Sequence, residues 1–294
     1  KKPGAWGSVL ELAVLARTLF EMVRDDRTIR VTLSSGEVLH GDLHPSLSVR
    51  QARSLAGRTR DLEGAYKQLL VAQASQWAAV LKVKNTEAGR DELYLTDVLP
   101  FGASASVYGF NRYSRALARI GVRLYGLLWT NFFDDYPHLD LEVSGNAAAD
   151  TAERMLRLVG WNISEKPEKR KPFAVVFDAL GVQVDLSQSA VGKILIKNKP
   201  DRVGAISETV EAALRCGVCK QSEAASLRGR VQFAEGQVFS RAATIMMPTF
   251  RKRAAGQLQG SDIPHQMKRE LKWAVAYLRK SRPRELLAAD PRPP

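Results

Sequence analysis

Apolar and polar positions along the chain change period several times, and each change marks an element. Residues 5–26 place Leu10, Leu12, Val14, Leu15, Leu19 and Phe20 at helical spacing, which predicts a first helix. Residues 28–40 alternate about Ser34-Ser35-Gly36 and predict a strand pair. SLSVRQARSLAG, residues 46–57, reads as a short helix closed by Gly57. RTRDLEGAYKQLLV reads as a strand end running into a turn or short helix. QWAAVLKV is predicted as a strand, and GRDELYLTDVLPFG as a second strand entering a loop. Ser104 to Ile120 is helical, with Val107, Phe110, Ala116 and Leu117 as its apolar positions.

After Gly121, VRLYGLLWTNFF and YPHLDLEV predict two strands flanking Asp134-Asp135. Residues 147–160 form a helix with Gly160 as C-cap. A basic loop, SEKPEKRKP, precedes FAVVFDALGVQVDL, two short strands turning near Leu180-Gly181. Residues 200–245 are helical, punctuated by Gly217, Gly229 and Gly236. The stretch after Ser261 is a basic helix with a Pro/Arg-rich tail expected to fray. This order predicts an α+β core with helices on one face, then a separate helical block.

Charge narrows the partners. The 44 Lys+Arg against 31 Asp+Glu give +13 over 294 residues, a balance that favours polyanions, nucleic acid before an anionic membrane surface. A soluble protein with a merely basic surface would show the same balance. No apolar run is long enough to cross a bilayer, and no cationic amphipathic helix dominates, so no membrane partner is expected. The first residues, KKPGAWGSVLELAVLA, lack an initiator Met and continue a helical pattern through Glu11, which suggests a fragment of a longer intracellular protein without a signal peptide. Cys216 and Cys219 form one C-x-x-C with no second pair, so they read as ordinary thiols near a helix end in a reducing compartment. His40 and His44 lie in a Gly- and Pro-containing stretch and are not expected to hold metal.

The strongest chemical signal is Asp134-Asp135 inside the apolar run LYGLLWTNFFDDYPHLDL. Adjacent carboxylates in apolar surroundings either shift their pKa or gain a cation. At the tip of a hydrophobic hairpin they suit a divalent metal, and Asp61 is the best third carboxylate. Metal-assisted phosphoryl transfer uses two or three carboxylates around two ions about 3.5–4 Å apart. Asp61 alone would read as a turn residue or helix cap.

RTRDLEGAYKQL, LPFGASASVYGFNR, NFFDDYP, GWNISEKPEKRKPFAVVF and ALGVQVDL, in that order, resemble the ordered motifs of reverse transcriptases. The resemblance covers roughly residues 55–250 and is most similar to the polymerases of tyrosine-recombinase (DIRS-like) retrotransposons. SLRGRVQFAEGQVFSRA is similar to the segment that follows the palm in such enzymes. The resemblance implies a right-hand polymerase with fingers in 1–57 and 71–98. It places the palm in 58–70 and 99–187, the thumb in 188–257, and a basic helix and flexible tail in 258–294.

It implies, further, RNA-directed DNA synthesis from dNTPs on an RNA or DNA template carrying a DNA primer, with two Mg²⁺ ions or Mn²⁺. Asp61, the Leu62 backbone carbonyl, Asp134 and Asp135 would be the metal ligands, with Asp134 the direct one and Asp135 more peripheral. Gly64, Ala65, Tyr66, Phe101 and Gly102 would meet the incoming nucleotide, Tyr66 excluding a ribose 2′-hydroxyl. Phe132, Phe133, Leu180 and Gly181 would hold the primer end. Lys166 would protonate the pyrophosphate leaving group.

Each residue also has a plainer reading. Tyr66 fits a core tyrosine, L-P-F-G a strand-to-helix turn, and Lys166 a solvated basic loop beside Lys169, Arg170 and Lys171. Arg58 and Arg60 fit phosphate contacts or exposed charges, and Arg27 and Arg30 are candidates for the triphosphate. Three features depart from the family pattern: Phe132 where tyrosine is usual, Asn131 in a strand, and Pro137, expected to limit pairing of the second strand. The rival expectation is a catalytically decayed domain of the same fold that binds nucleic acid.

Overall fold

The structure is a computed structural model that describes residues 9–166, 169–237 and 242–287. The chain divides into two compact units that meet in sequence at Leu180 and Gly181.

The first unit opens with helix α1 (Val9–Met22) and a hairpin of β1 (Thr28–Thr32) and β2 (Val38–Asp42), matching the predicted helix and strand pair. Helix α2 (Val49–Arg53) begins with a capping box in which Ser48 and Gln51 satisfy each other's backbone N–H groups. It is shorter than predicted, and Gly57 does not close it. Residues Leu55–Asp61 instead form β3, whose Leu55, Ala56, Gly57, Arg58 and Arg60 are all buried although it is the end strand of its sheet. Gly57 is required there by space, since a Cβ would stand 2.3 Å from the Phe177 ring.

The sheet order is β3, β7 (Asp135–Leu141), β6 (Leu128–Trp129), all antiparallel. Pro137 lies in its central strand opposite Thr59. Its carbonyl accepts from the Thr130 N–H at 3.0 Å, so the proline does not end pairing on either side. The predicted strand 122–133 begins as helix over 122–125 and keeps only Leu128–Trp129 as strand. Helix α3 (Ser104–Tyr125) continues to Gly126, whose left-handed φ of 65° supplies the cap. The run VRLY is one more helical turn, and Gly121 just before it lets the Trp129 indole pack at 2.3 Å from a would-be Cβ. Helix α4 (Gly145–Leu158) and β8 (Val176–Ala179) complete the unit with β4 (Val80–Asn85) and β5 (Arg90–Leu95). The first half of QWAAVLKV is a 3-10 turn, Gln73–Ala78, and only its second half is strand. Leu62, Phe110, Leu117, Trp129, Tyr136, Leu156 and Ile163 pack together as the core beside the sheet.

The second unit holds β9 (Val182–Asp185), β10 (Lys193–Asn198) and β11 (Arg284–Leu287), with β10 antiparallel to both others. β11 falls in the tail expected to fray. Its pairing partner lies about ninety residues upstream, which no local pattern reveals. Helices α5 (Pro200–Cys216), α6 (Gln221–Gln237), α7 (Ala242–Met246), α8 (Pro248–Ala254) and α9 (His265–Lys280) surround a core of Ile206, Val210, Leu227, Phe250, Met267 and Leu271. Gly217 ends α5 in the left-handed region, whereas Gly229 and Gly236 sit inside α6 and interrupt nothing. Cys216 is exposed and Cys219 buried, both free thiols.

The mixed fold with antiparallel sheets and helices is the one predicted. Among the described residues, no helix is long and apolar enough to cross a membrane.

Candidate active site

Asp61 is the last residue of β3, and its partner across the ladder is Asp135, the first residue of β7. Opposed like charges on a sheet repel, so this register needs a compensating cation. The hairpin carrying Asp134 is a two-residue turn. Phe132 N–H donates to the Asp135 carbonyl at 2.9 Å and Asp135 N–H returns to Phe132 at 3.0 Å. Phe133, the first turn residue, has φ 55°. A bulky side chain held in that region costs on the order of 1–3 kcal/mol, strain the surroundings must over-determine.

They do so through Ser114 of α3, whose buried hydroxyl donates to the Phe133 carbonyl. Asn131 lies between β6 and the turn and not in a strand as predicted; its Nδ2 donates to Ser114 Oγ at 3.1 Å, which accounts for a polar residue there. The Tyr136 hydroxyl stands 2.9 Å from the same oxygen.

Burial first, and the Asp61 charge after it, hold the Asp134 carboxyl above the usual carboxylate range; its own backbone N–H and Lys169 oppose this. Lys169 Nζ lies 2.6 Å from Asp61 Oδ2. The hydrogen bond to Asp61, then the charges of Asp61, Asp135 and Asp134, push the Lys169 ammonium up. One ammonium thus faces all three predicted carboxylates. It belongs to Lys169 and not to Lys166, which is exposed three residues earlier and lends its carbonyl to the Lys169 N–H at 2.9 Å. Both lie in one basic loop, and only the loop's path separates them.

Tyr66 follows Gly64, whose φ of 54° lets the chain turn into a 3-10 element, Ala65–Gln68. Ala65 is buried. The Tyr66 ring stacks on Phe110 at 4.7 Å and meets Phe101 edge-on at 5.6 Å. Burial, then the Asp134 charge, raise the Tyr66 hydroxyl. Phe101 is 89% exposed beside Gly102 at φ 90°, so its ring is presented to solvent and not stored in the core. The structure therefore gathers Asp61, Tyr66, Phe101, Asp134, Asp135 and Lys169. Phe132 and Phe133 pack edge-to-face at 4.8 Å within the turn. Leu180 and Gly181 form the predicted turn with φ 49° and 82°. Gly181 is held by Arg202, whose Nη1 donates to its carbonyl at 2.5 Å.

Other expectations are corrected. Arg58 and Arg60 are not exposed phosphate ligands; they are 3% and 1% exposed. Both face Glu153 of α4, at 3.2 and 3.6 Å, with Arg170 at 3.8 Å. Arg27 is committed to the Leu43 and His44 carbonyls. Ser114 and Glu153 lie outside the quoted motifs, and Lys169 read only as a solvated neighbour of Lys166; Asn131, polar in an apolar run, was the one visible sign of the Ser114 network.

The donor chemistry fits a hard divalent cation, because Asp61, Asp134 and Asp135 offer only oxygens, and a cation would relieve the burial and the Asp61 charge that push the Asp134 carboxyl up. A closed ligand set is not assembled. Among the described residues, no group of three His, Cys, Asp or Glu side chains is arranged to hold a metal. Leu62 has a buried side chain and bridges to Ile163.

The fold is reverse-transcriptase-like. No family model matches the chain, and no curated protein matches its sequence. Solved structures do. A foamy viral protease-reverse transcriptase in complex with RNA/DNA hybrid aligns with TM-score 0.58 and 15% identity over 86% of this chain and 33% of its own. A dRH form of the foamy viral protein with double-stranded DNA aligns with TM-score 0.54 and 13% identity over 85% of this chain and 42% of its own. A third, the foamy viral protein with double-stranded DNA, aligns with TM-score 0.53 and 15% identity over 86% of this chain and 51% of its own. The chain thus spans a third to a half of the length of these neighbours.

Proposed function

We propose that this chain is the polymerase part of a reverse transcriptase, extending a DNA primer on an RNA or DNA template with dNTPs. The carrying observation is the register that sets Asp61 opposite Asp135, with Asp134 on the adjoining strained turn and Tyr66 and Phe101 beside it. The reverse-transcriptase-like fold and the net charge of +13 support the reading, since a primer–template duplex is gripped mainly through phosphates. The ordered motifs support an origin in a mobile-element polyprotein of the DIRS-like type.

Asp61, Asp134 and Asp135 would hold two Mg²⁺ ions, or Mn²⁺, which when bound lower the pKa of the primer 3′-hydroxyl and neutralise charge on the transferring phosphate. Tyr66, braced by Phe110, excludes a 2′-hydroxyl from the sugar position, and Phe101 with Gly102 covers the base or sugar. Lys169, already directed at the carboxylates, takes the proton-donating position that the motif order alone gave to Lys166. Phe132, Phe133 and the Leu180-Gly181 turn would position the primer end.

Primer extension with Mg²⁺ and dNTPs on an RNA template tests this. Asp134→Asn should abolish synthesis and leave duplex affinity unchanged; synthesis that survives the substitution removes Asp134 from the site. One observation favours a second reading. The Asp61–Lys169 ion pair stands where a metal would bind, as it would in a domain that only binds nucleic acid. Folded wild-type protein that binds primer–template yet extends nothing with either Mg²⁺ or Mn²⁺ would establish that alternative.

A further inference from the structure

We infer that Ser114 is a positioning residue for the carboxylate site: its hydroxyl latches the turn that carries Asp134 to helix α3. The inference rests on the reading of Asp134 as a working carboxylate, and it concerns a residue that touches no reacting group.

Proton accounting defines the latch. Ser114 has one hydroxyl proton, and it goes to the Phe133 carbonyl. The oxygen is then left to accept, from Asn131 Nδ2 at 3.1 Å and from the Tyr136 hydroxyl at 2.9 Å. The Tyr136 proton also has the Ser114 carbonyl within 3.2 Å. One side chain therefore ties residues 131, 133 and 136, on both sides of Asp134. Ser114 and Tyr136 are each 0% exposed, so water cannot replace a lost partner.

A serine inside a helix ordinarily turns its hydroxyl to the carbonyl four residues back. Ser207 does so in α5, to Val203 at 2.8 Å. Ser114 instead reaches off its helix to a turn residue at φ 55°, a conformation that persists only where neighbours impose it.

The anchor is itself fixed. Trp129 Nε1 donates to the Ala118 carbonyl one turn along α3, at 3.0 Å. Phe110, four residues before Ser114 and so on the same helical face, stacks on Tyr66 at 4.7 Å. That face of α3 thus sets both Tyr66 and the Asp134 turn, and fixes the nucleotide-facing ring relative to the carboxylate.

The test uses the full chain. Ser114→Ala should lower kcat for primer extension about 100-fold, the loss expected of a displaced reacting geometry. Primer–template Kd and the dNTP KM should stay at wild-type values. Backbone amide exchange should quicken at residues 130–136 and not in the rest of the unit. Ser114→Cys, a weaker donor of similar shape, should recover part of kcat. Ser207→Ala, which also loses a buried helical hydroxyl, should leave kcat unchanged. Wild-type kcat in Ser114→Ala overturns the latch, and so does exchange that rises uniformly across the unit. Absence of synthesis by the wild-type chain overturns the polymerase reading instead, and the exchange measurement then decides the latch by itself.

Discussion

Replacing Glu153 by Gln keeps the shape of the side chain packed behind β3 and removes the one buried anion among the described residues of the first unit. Arg58 and Arg60 project from β3, and with 3% and 1% exposure neither can reach water. Glu153, with a side chain 10% exposed, accepts from Arg58 Nη1 at 3.2 Å and faces Arg60 Nη2 at 3.6 Å. Burial lowers the Arg58 pKa, and Glu153 is the chief influence opposing that.

Glu153→Gln would strand two guanidinium ions in a low-dielectric interior. Breaking a buried pair from one side costs about 3–5 kcal/mol. An exposed pair contributes only about 0–1 kcal/mol. Glu165→Gln supplies that contrast, because Arg157 and Glu165 are each 55% exposed. With a urea m-value of about 2 kcal/mol per molar, Glu153→Gln should lower the unfolding midpoint by about 1.5–2.5 M. Glu165→Gln should leave it almost unmoved. Arg60→Met should cost far less than Glu153→Gln, because Arg60 Nε, Nη1 and Nη2 lack hydrogen-bond partners and a thioether leaves none unsatisfied. Equal midpoints for Glu153→Gln and Glu165→Gln would refute the claim that the cluster is electrostatically buried.

Burial, and after it the Arg58 charge, depress His138 to about 3, so the folded state holds it neutral while the unfolded chain protonates near 6.5. Its stabilisation is therefore complete well above pH 6.5 and is lost as pH falls; between about pH 6.5 and 5 the loss should be about 1.6 kcal/mol, and His138→Leu should flatten that slope in urea titrations. Gly57→Ala should cost about 1–3 kcal/mol by driving a methyl into Phe177, with the double variant Gly57→Ala/Phe177→Leu recovering part of it; an additive double variant would mean the two do not touch. Tyr66→Val should admit ribonucleotides into the extended strand, and unchanged sugar selectivity would take Tyr66 out of that steric role.

Much of the site was legible because it is local. Asp61, Tyr66, Phe101 and Asp134 each sit within a short motif, and the ladder that sets Asp61 opposite Asp135 joins β3 to β7. What was not legible depends on distant partners or on loop path. Arg58 and Arg60 looked exposed because nothing near them in sequence announces Glu153, 95 residues away from Arg58. β11 looked like a fraying tail because its partner is β10. VRLY alternates well enough for a strand, but Gly121 and Gly126 give α3 the close packing and the cap that extend it. Lys166 and Lys169 share one basic loop, and composition does not say which ammonium arrives at Asp61.

The strand that ends at Asp61 is completed from far downstream. Thr59 donates its hydroxyl to the Asp178 carbonyl, 119 residues later in the chain, at 2.8 Å. Gly57 exchanges backbone bonds with Ala174, and Leu62 bridges to Ile163. A ribosome adding about 5–20 residues per second would expose β3 for roughly 6–24 s before those partners are synthesised. The edge of β3 turned away from β7 would be among the last parts of the first unit to be completed, and a nascent chain arrested before Phe173 would carry Asp61 on a strand bonded along one side only.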